Sequence, residues 1–316
     1  MILNFVNHGI SLKSLSLQRH AFLCTSNGMN RRQSVNISRV SSISMMVQTV
    51  EPSTNSTKNK KKGPPPKIHT QGDSLHDEPH HVALCIAVFL CFSVNSIQAG
   101  LQAASCVSIH ELSLISVALQ VSASVLSSLF LADFGTAVYH WAVDNYGDRN
   151  TPLVGYQIDA FQGHHTSPWT ITERGTFNNL HRACVPVLLP FMMICTIGSE
   201  LNFNVKLFLG VFLSSIVMCQ EIHKWAHMIQ SPNGIVEKLQ KWNLLVSRKE
   251  HGLHHSSPYE GHYGIVNGWS NWMLDQSGFF RILEVFFYKM NGAQPNSWKL
   301  DNDVRIDAFK RSKSIL

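Results

Sequence analysis

Nine of the seventeen histidines in this chain recur at spacings that suit metal ligation: His140, the adjacent His164 and His165, His181, His223 and His227, and His251 with His254 and His255. Neutral imidazole is the commonest metal ligand, so such a density asks for a chemical explanation. On a helix, positions i and i+4 share a face, so His223 and His227 can reach one ion. His251, His254 and His255, at i, i+3 and i+4, can serve one ion or bridge two. His164 and His165 are neighbours, about 100° apart if helical, and can address different ions. His140 and Asp144 also stand at i and i+4, where the carboxylate can ligate directly or hold the imidazole from behind. Glu221, Glu250 and Asp275 are further candidates for accepting imidazole N–H groups. His8, His20, His69, His76, His80, His81, His110 and His262 lack such company, although His262 lies close to the last cluster.

The motifs that are missing narrow the metal. Nine histidines are too many for one tetrahedral zinc ion. The segment His223-Lys224-Trp225-Ala226-His227 has no Glu at its second position and is not a zincin helix. The Glu-x2-His pairs of soluble di-iron bundles are absent too. Imidazole suits iron, and eight or nine neutral ligands can hold two ions with positions left open for oxygen. Such a centre at a bilayer surface can take hydrogen from an unactivated C–H bond of an acyl chain, with the metal carrying the chemistry and the protein the geometry. No Cys-x2-Cys-His haem site and no Gly-x-Gly-x2-Gly flavin motif occurs, so electrons have to come from a partner protein.

Apolar segments set where these residues can stand. Val82–Gln98, Leu112–Ala132 and Ala183–Ser199 carry no charge, and Leu201–Gln220 carries only Lys206. About twenty apolar residues cross a bilayer as a helix, and a terminal lysine can snorkel. The expected fold is an all-α integral membrane protein of about four transmembrane helices, with the second ending just before His140, the third beginning just after His181 and the fourth ending at His223. All nine histidines then form a cap on one side. The opposite loops, around 99–111 and 200–205, contain no Lys or Arg, whereas the histidine side carries Arg149, Arg174, Arg182, Arg248 and Lys249. The positive-inside rule makes that side cytoplasmic or its equivalent, a plastid stroma. Arg248 and Lys249 anchor there, or hold a lipid phosphate. Ile235, Leu239, Trp242 and Val246 stand at helical spacing and read as an interfacial amphipathic helix; Phe279–Tyr288 lies on the membrane or packs under the cap.

Residues 1–50 have five basic residues, nine serines and no acid, the composition of an organelle transit peptide, with serine over arginine favouring chloroplast. The polar, Lys- and Pro-rich stretch 51–81 reads as a solvated linker, 82–300 as the membrane domain and 301–316 as a polar tail. Without the first fifty residues the balance is 21 basic to 20 acidic, which leaves no field for nucleic acid. The seven cysteines form no Cys-x2-Cys pair, and those in or beside apolar segments read as small buried hydrophobes.

The run from Asp133 to Asp148 around His140-Trp141-Ala142-Val143-Asp144, then Phe161-Gln162-Gly163-His164-His165, Asn178-Asn179-Leu180-His181, His223-Lys224-Trp225-Ala226-His227 and His251-Gly252-Leu253-His254-His255 together resemble the plant plastid fatty acid desaturase 4 group. Animal and bacterial plasmanylethanolamine desaturases share the histidine pattern. The resemblance covers roughly residues 120–300. It implies a multi-pass chloroplast membrane enzyme, in thylakoid or envelope, with two iron ions bound by histidine. In the plant group the implied reaction turns palmitate at sn-2 of phosphatidylglycerol into trans-3-hexadecenoate, with electrons from ferredoxin. Asp144 stands where the general acyl desaturase pattern has a second histidine. Three rivals remain at this level: a vinyl-ether-forming plasmanyl lipid desaturase, a zinc-dependent membrane lipid hydrolase, and a non-catalytic metal-binding or transport protein.

Overall fold

The computed structural model describes residues 72–197 and 200–315; the expected transit peptide and most of the expected linker lie outside them. Four long helices carry the molecule: α1 (Pro79–Ser108), α2 (Leu114–Asn145), α4 (Thr176–Ile197) and α5 (Phe203–His227), each long and apolar enough to cross a membrane. Between α2 and α4 lie the short α3 (Gly155–His164) and a 3-10 turn, Pro168–Glu173. After α5 come α6 (Gly234–Lys241), α7 (Arg248–His254), α8 (Trp269–Ser277), α9 (Phe279–Asn291), α10 (Asn296–Leu300) and α11 (Asn302–Ile315). No strand occurs among the described residues.

Helix starts are written locally. Ser113, Asn202, Asn233 and Ser247 each accept a backbone N–H of the first turn, at the heads of α2, α5, α6 and α7. Such a cap stabilises by about 1 kcal/mol and fixes where the helix begins.

Side-chain contacts fix the directions. Cys85 meets Cys184 (Sγ to Sγ 3.6 Å) and Cys195 meets the Cys91 carbonyl at 3.3 Å, so α1 and α4 run parallel. Gln120 meets Asn204 at 2.5 Å, and Ala132 packs with Cys219, so α2 and α5 run parallel. Asn95 donates to the Lys206 carbonyl at 2.9 Å, which sets α5 antiparallel to α1. The starts of α1 and α4 therefore share one end of the bundle with the finishes of α2 and α5. Leu90, Ile97, Leu101, Ile115, Leu119, Val185 and Leu189 are exposed along these helices, as lipid-facing side chains must be.

The helices overrun the apolar windows read from the sequence. From Leu114, about twenty residues of hydrocarbon thickness bring α2 to Asp133, so its last turns stand proud of the bilayer. α4 begins at Thr176, ahead of His181 rather than after it, because Asn178 and Asn179 find partners in the His76 carbonyl and in Glu221. It also accommodates Pro186 and Pro190. Residues 73–78, placed by composition in the linker, are docked: Asp73 pairs with Arg174, Gly175 N–H donates to the Leu75 carbonyl at 2.7 Å, and Asp77 accepts the Asn178 N–H at 2.7 Å. A Cβ on Gly175 would meet Asp77 Oδ1 at 2.3 Å, so this close approach requires glycine. The expected polar tail is helical as α11, where Val304 and Ala308 pack on Val285 and Trp298. Behind the protruding end of α2, the fully buried Glu284 of α9 accepts from Arg281, Trp141 and Trp298 at 2.6, 3.2 and 2.8 Å.

Candidate metal centre

Four elements converge at this end of the bundle. α2 brings His140 and Asp144 on one face; α3 ends at His164, with His165 as its C-cap; α5 brings His223 and His227; α7 brings His251 and His254, with His255 as its C-cap. Their side chains sort into two groups, in each of which one possible ligand atom per residue lies within 4.8 Å of all the others: His164, His223, His227, His251 and His255 in one, and His140, Asp144, His165 and His254 in the other. The groups are contiguous, with His140 and His223 ring centres 5.8 Å apart. His164 and His165 fall in different groups, and of the last three histidines His251 and His255 go to one group and His254 to the other.

Proton bookkeeping shows that these atoms are arranged as a cation site would be. In the five-histidine group, His227 Nε2 lies 2.9, 3.1 and 2.9 Å from the Nε2 atoms of His164, His223 and His251, and His255 Nε2 lies 3.1 Å from that of His251. A ring nitrogen has one proton or one lone pair and cannot serve three such neighbours. The spacing fits ligation instead. A metal–nitrogen bond of about 2.1 Å puts neighbouring nitrogens about 3.0 Å apart at right-angled coordination and about 3.4 Å apart in a tetrahedron. The four nitrogen contacts of 2.9–3.1 Å thus match right-angled better than tetrahedral spacing.

The second group is held by backbone carbonyls. His140 Nδ1 lies 3.0 Å from the Tyr263 carbonyl, and His254 Nδ1 lies 3.0 Å from the Gly261 carbonyl. Carbonyls only accept, so both Nδ1 atoms carry a proton, and in a neutral ring Nε2 then presents its lone pair. Those lone pairs point at Asp144 Oδ2, 3.3 Å away in each case, and His165 Nε2 approaches the same oxygen at 3.2 Å. His140 Nε2, His254 Nε2, His165 Nε2 and both Asp144 oxygens are buried without a hydrogen-bond partner. Acceptors facing acceptors in a dry pocket repel unless a cation lies between them. Asp144 thus stands among the possible ligand atoms of this group. Burial, reinforced by neighbouring imidazoles, pushes His164 and His251 well below the ordinary imidazole range and His255 down to about 2, so these rings are neutral and able to ligate.

His181 stands apart from both groups. Its Nδ1–H donates to the Asn178 carbonyl at 2.7 Å and its ring stacks on His81 at 3.8 Å. The spacing argument included it because α4 starts at the right end of the bundle, but its side chain faces α1. Glu78, His80 and His81 also cluster there, yet His81 Nδ1 is engaged by the Glu78 N–H at 3.1 Å, a contact that caps α1.

The three carboxylates expected to back the ligands face elsewhere. Glu221 accepts from Thr176 and Asn179 at 3.2 and 3.0 Å and joins α4 to α5. Glu250 and Asp275 both engage His262. His140 and His254 are backed instead by carbonyls of the loop between α7 and α8, and Asp133 holds that loop. Fully buried, Asp133 accepts the backbone N–H groups of Val266, Asn267, Gly268 and Ser270 and the Ser270 hydroxyl. Its signal in the sequence was an acid at the end of an uncharged helix, where an unpaired charge is costly.

An all-helical bundle with four membrane-length helices and paired histidine groups at one end defines a class of membrane protein equipped for metal chemistry. The particular family follows from comparison with known proteins: the chain belongs to the lipid desaturase domain family, which matches residues 129–298 and so spans both groups. It is 44% identical over 188 residues to fatty acid desaturase 4, chloroplastic, of Arabidopsis thaliana, covering 58% of this chain and 57% of that protein. It is 28% identical over 183 residues to plasmanylethanolamine desaturase 1 of Mus musculus, covering 55% and 67%. With the plasmanylethanolamine desaturase of Myxococcus xanthus the identity is 29% over 191 residues, covering 59% and 66%. The chain spans 57–66% of the length of the three Arabidopsis relatives it matches. No solved structure matches it.

Proposed function

We propose that this protein is a multi-pass lipid acyl desaturase of a chloroplast membrane, thylakoid or envelope, with two iron ions at the histidine centre. The reaction we assign is the introduction of a trans-3 double bond into palmitate at sn-2 of phosphatidylglycerol, with electrons delivered by a carrier protein, ferredoxin. The observation that carries this reading is the convergence of eight imidazoles and Asp144 into two contiguous groups of possible ligand atoms, within a domain shared with the chloroplastic relatives. Right-angled nitrogen spacing in the five-histidine group favours iron over tetrahedral zinc, and hence an oxidase over a hydrolase.

When bound, iron supplies oxygen activation and hydrogen abstraction from adjacent methylenes. The chain's own residues prepare for it. His164, His223, His227, His251 and His255 would hold one ion, and His140, His165, His254 and Asp144 the other. The Tyr263 and Gly261 carbonyls keep protons on Nδ1 of His140 and His254 and so keep Nε2 free. Asp144 supplies the one negative charge, so neutral imidazoles hold most of the cationic load. Rings of Phe161, Tyr259 and Tyr263 stand against His140 and His165 and exclude water.

The test is the acyl profile of phosphatidylglycerol from a host making the protein or His254→Ala, with metal analysis of the purified chain. Trans-3-hexadecenoate dependent on His254, with two irons per chain, is expected. A normal level in His254→Ala refutes the ligand assignment. Plasmalogen in place of the trans acid points to the vinyl-ether reaction, and one zinc with no iron to a hydrolase.

A further inference from the structure

His262 lies between the two residues whose carbonyls orient ligands: Gly261 holds His254 and Tyr263 holds His140. Both of its own ring nitrogens face carboxylates. Nδ1 is 2.8 Å from Glu250 Oε1 and Nε2 is 3.8 Å from Asp275 Oδ2, while its backbone N–H donates to that same Asp275 oxygen at 3.1 Å. His262 is in neither ligand group, and its ring lies between the two carboxylates. The backbone here needs holding: Tyr259, Gly261 and His262 all have left-handed φ, of 62°, 96° and 52°. Non-glycine residues adopt that region at a cost, and the surrounding contacts have to impose it. Glu250, which also accepts from Asn271 at 3.1 Å, directly precedes the ligand His251. One side chain thus spans from the α7 ligand helix to the carbonyl collar.

Resting on the two-ion reading of the centre, we propose that His262 is a positioning residue, a clasp gripped by Glu250 on α7 and Asp275 on α8 that fixes the 261–263 backbone and thereby aims His254 and His140 at the ion beside Asp144. Its effect falls on one ion of the two. The Asp144 group takes its orientation from the clasped carbonyls, whereas no ligand of the five-histidine group is bonded to this loop in the contacts seen. The hydrogen bond His262 donates to Glu250, followed by the charge of Asp275, raises His262 above the ordinary imidazole range, which strengthens the grip.

The experiment uses the full chain in detergent, loaded with iron-57, and reads iron per chain by chelator competition and the two sites by Mössbauer spectra. His262→Asn is the variant of choice, since asparagine tolerates left-handed φ but cannot reach both carboxylates. Expected is a 10- to 100-fold weaker affinity at one site only, of the size found when outer partners of metal ligands are removed, with the signal of one iron lost and the other unchanged. Two wild-type-like sites in His262→Asn overturn the clasp, as does equal weakening of both. If wild-type protein binds fewer than two irons, the two-ion reading itself fails. If His262→Asn does not fold, Asp275→Ala is read by the same criteria.

Discussion

Replacing Asp133 by asparagine should open the loop behind the metal centre, by an amount that the hydrogen bonds define. Oδ1 accepts from Val266, Asn267 and Gly268 at 3.1, 3.0 and 2.9 Å, and Oδ2 accepts from Ser270 N–H at 3.0 Å and Ser270 Oγ at 2.6 Å. An asparagine can offer its oxygen to one side only, and the three-donor side is the better fit. Its NH2 then faces Ser270, whose hydroxyl can turn to accept but whose N–H is stranded. One bond to a charged acceptor is lost, about 1.5–3 kcal/mol, and the three that remain fall toward the neutral value of about 1 kcal/mol each. The sum is about 3–9 kcal/mol, or about two to six orders of magnitude in local opening at about 1.4 kcal/mol per tenfold. Hydrogen exchange of residues 264–271 in detergent reads this directly. A change below tenfold would show that Asp133 is not what holds the loop, and the carbonyl collar would need another support.

Three further outcomes follow. His227→Ala should lose the ion of the five-histidine group, because its Nε2 has three ligand nitrogens within 3.1 Å, whereas His181→Ala should keep both irons and lose only about 1 kcal/mol of ring stacking; iron per chain decides. Asp144→Asn keeps shape but removes the only charge in its group, so that group should be empty at iron concentrations that fill wild type, with the other spectrum retained. Because His262 is raised, its clasp contributes fully below the free imidazole value of about 6.5 and fades as pH rises through the raised folded value. The melting-temperature gap between wild type and His262→Asn should therefore be larger at about pH 6 than at about pH 9, and a gap that grows with pH refutes the protonated clasp.

What the sequence disclosed followed from periodicity, and what it hid depended on contacts distant along the chain. The spacing of His223 and His227 is a helical fact that lets both reach one ion, and they do share a group; His251, His254 and His255 could serve one ion or bridge two, and the fold puts His251 and His255 in one group and His254 in the other. Splitting His164 from His165 needed only the rotation per residue. His181 is the instructive exception: helix ends can be located by hydropathy, but the direction a side chain takes around its helix depends on which neighbour packs there, and α4 turns His181 to α1. The backing of the ligands was hidden for a related reason. Any residue can supply a carbonyl, so neither Gly261 nor Tyr263 carries a sign of its role, and a search for carboxylates behind the histidines found Glu250 and Asp275, which act one step further out through His262. Backbone acceptors keep the backing of the Asp144 group uncharged, and Asp144 then remains its single anion. A carboxylate behind each imidazole would add charge to a pocket that already buries one, at a desolvation cost the carbonyls avoid. Glu250 and Asp275, only half-buried, hold the loop one step out from the histidines and leave Asp144 as the single carboxylate among the possible ligands of its group.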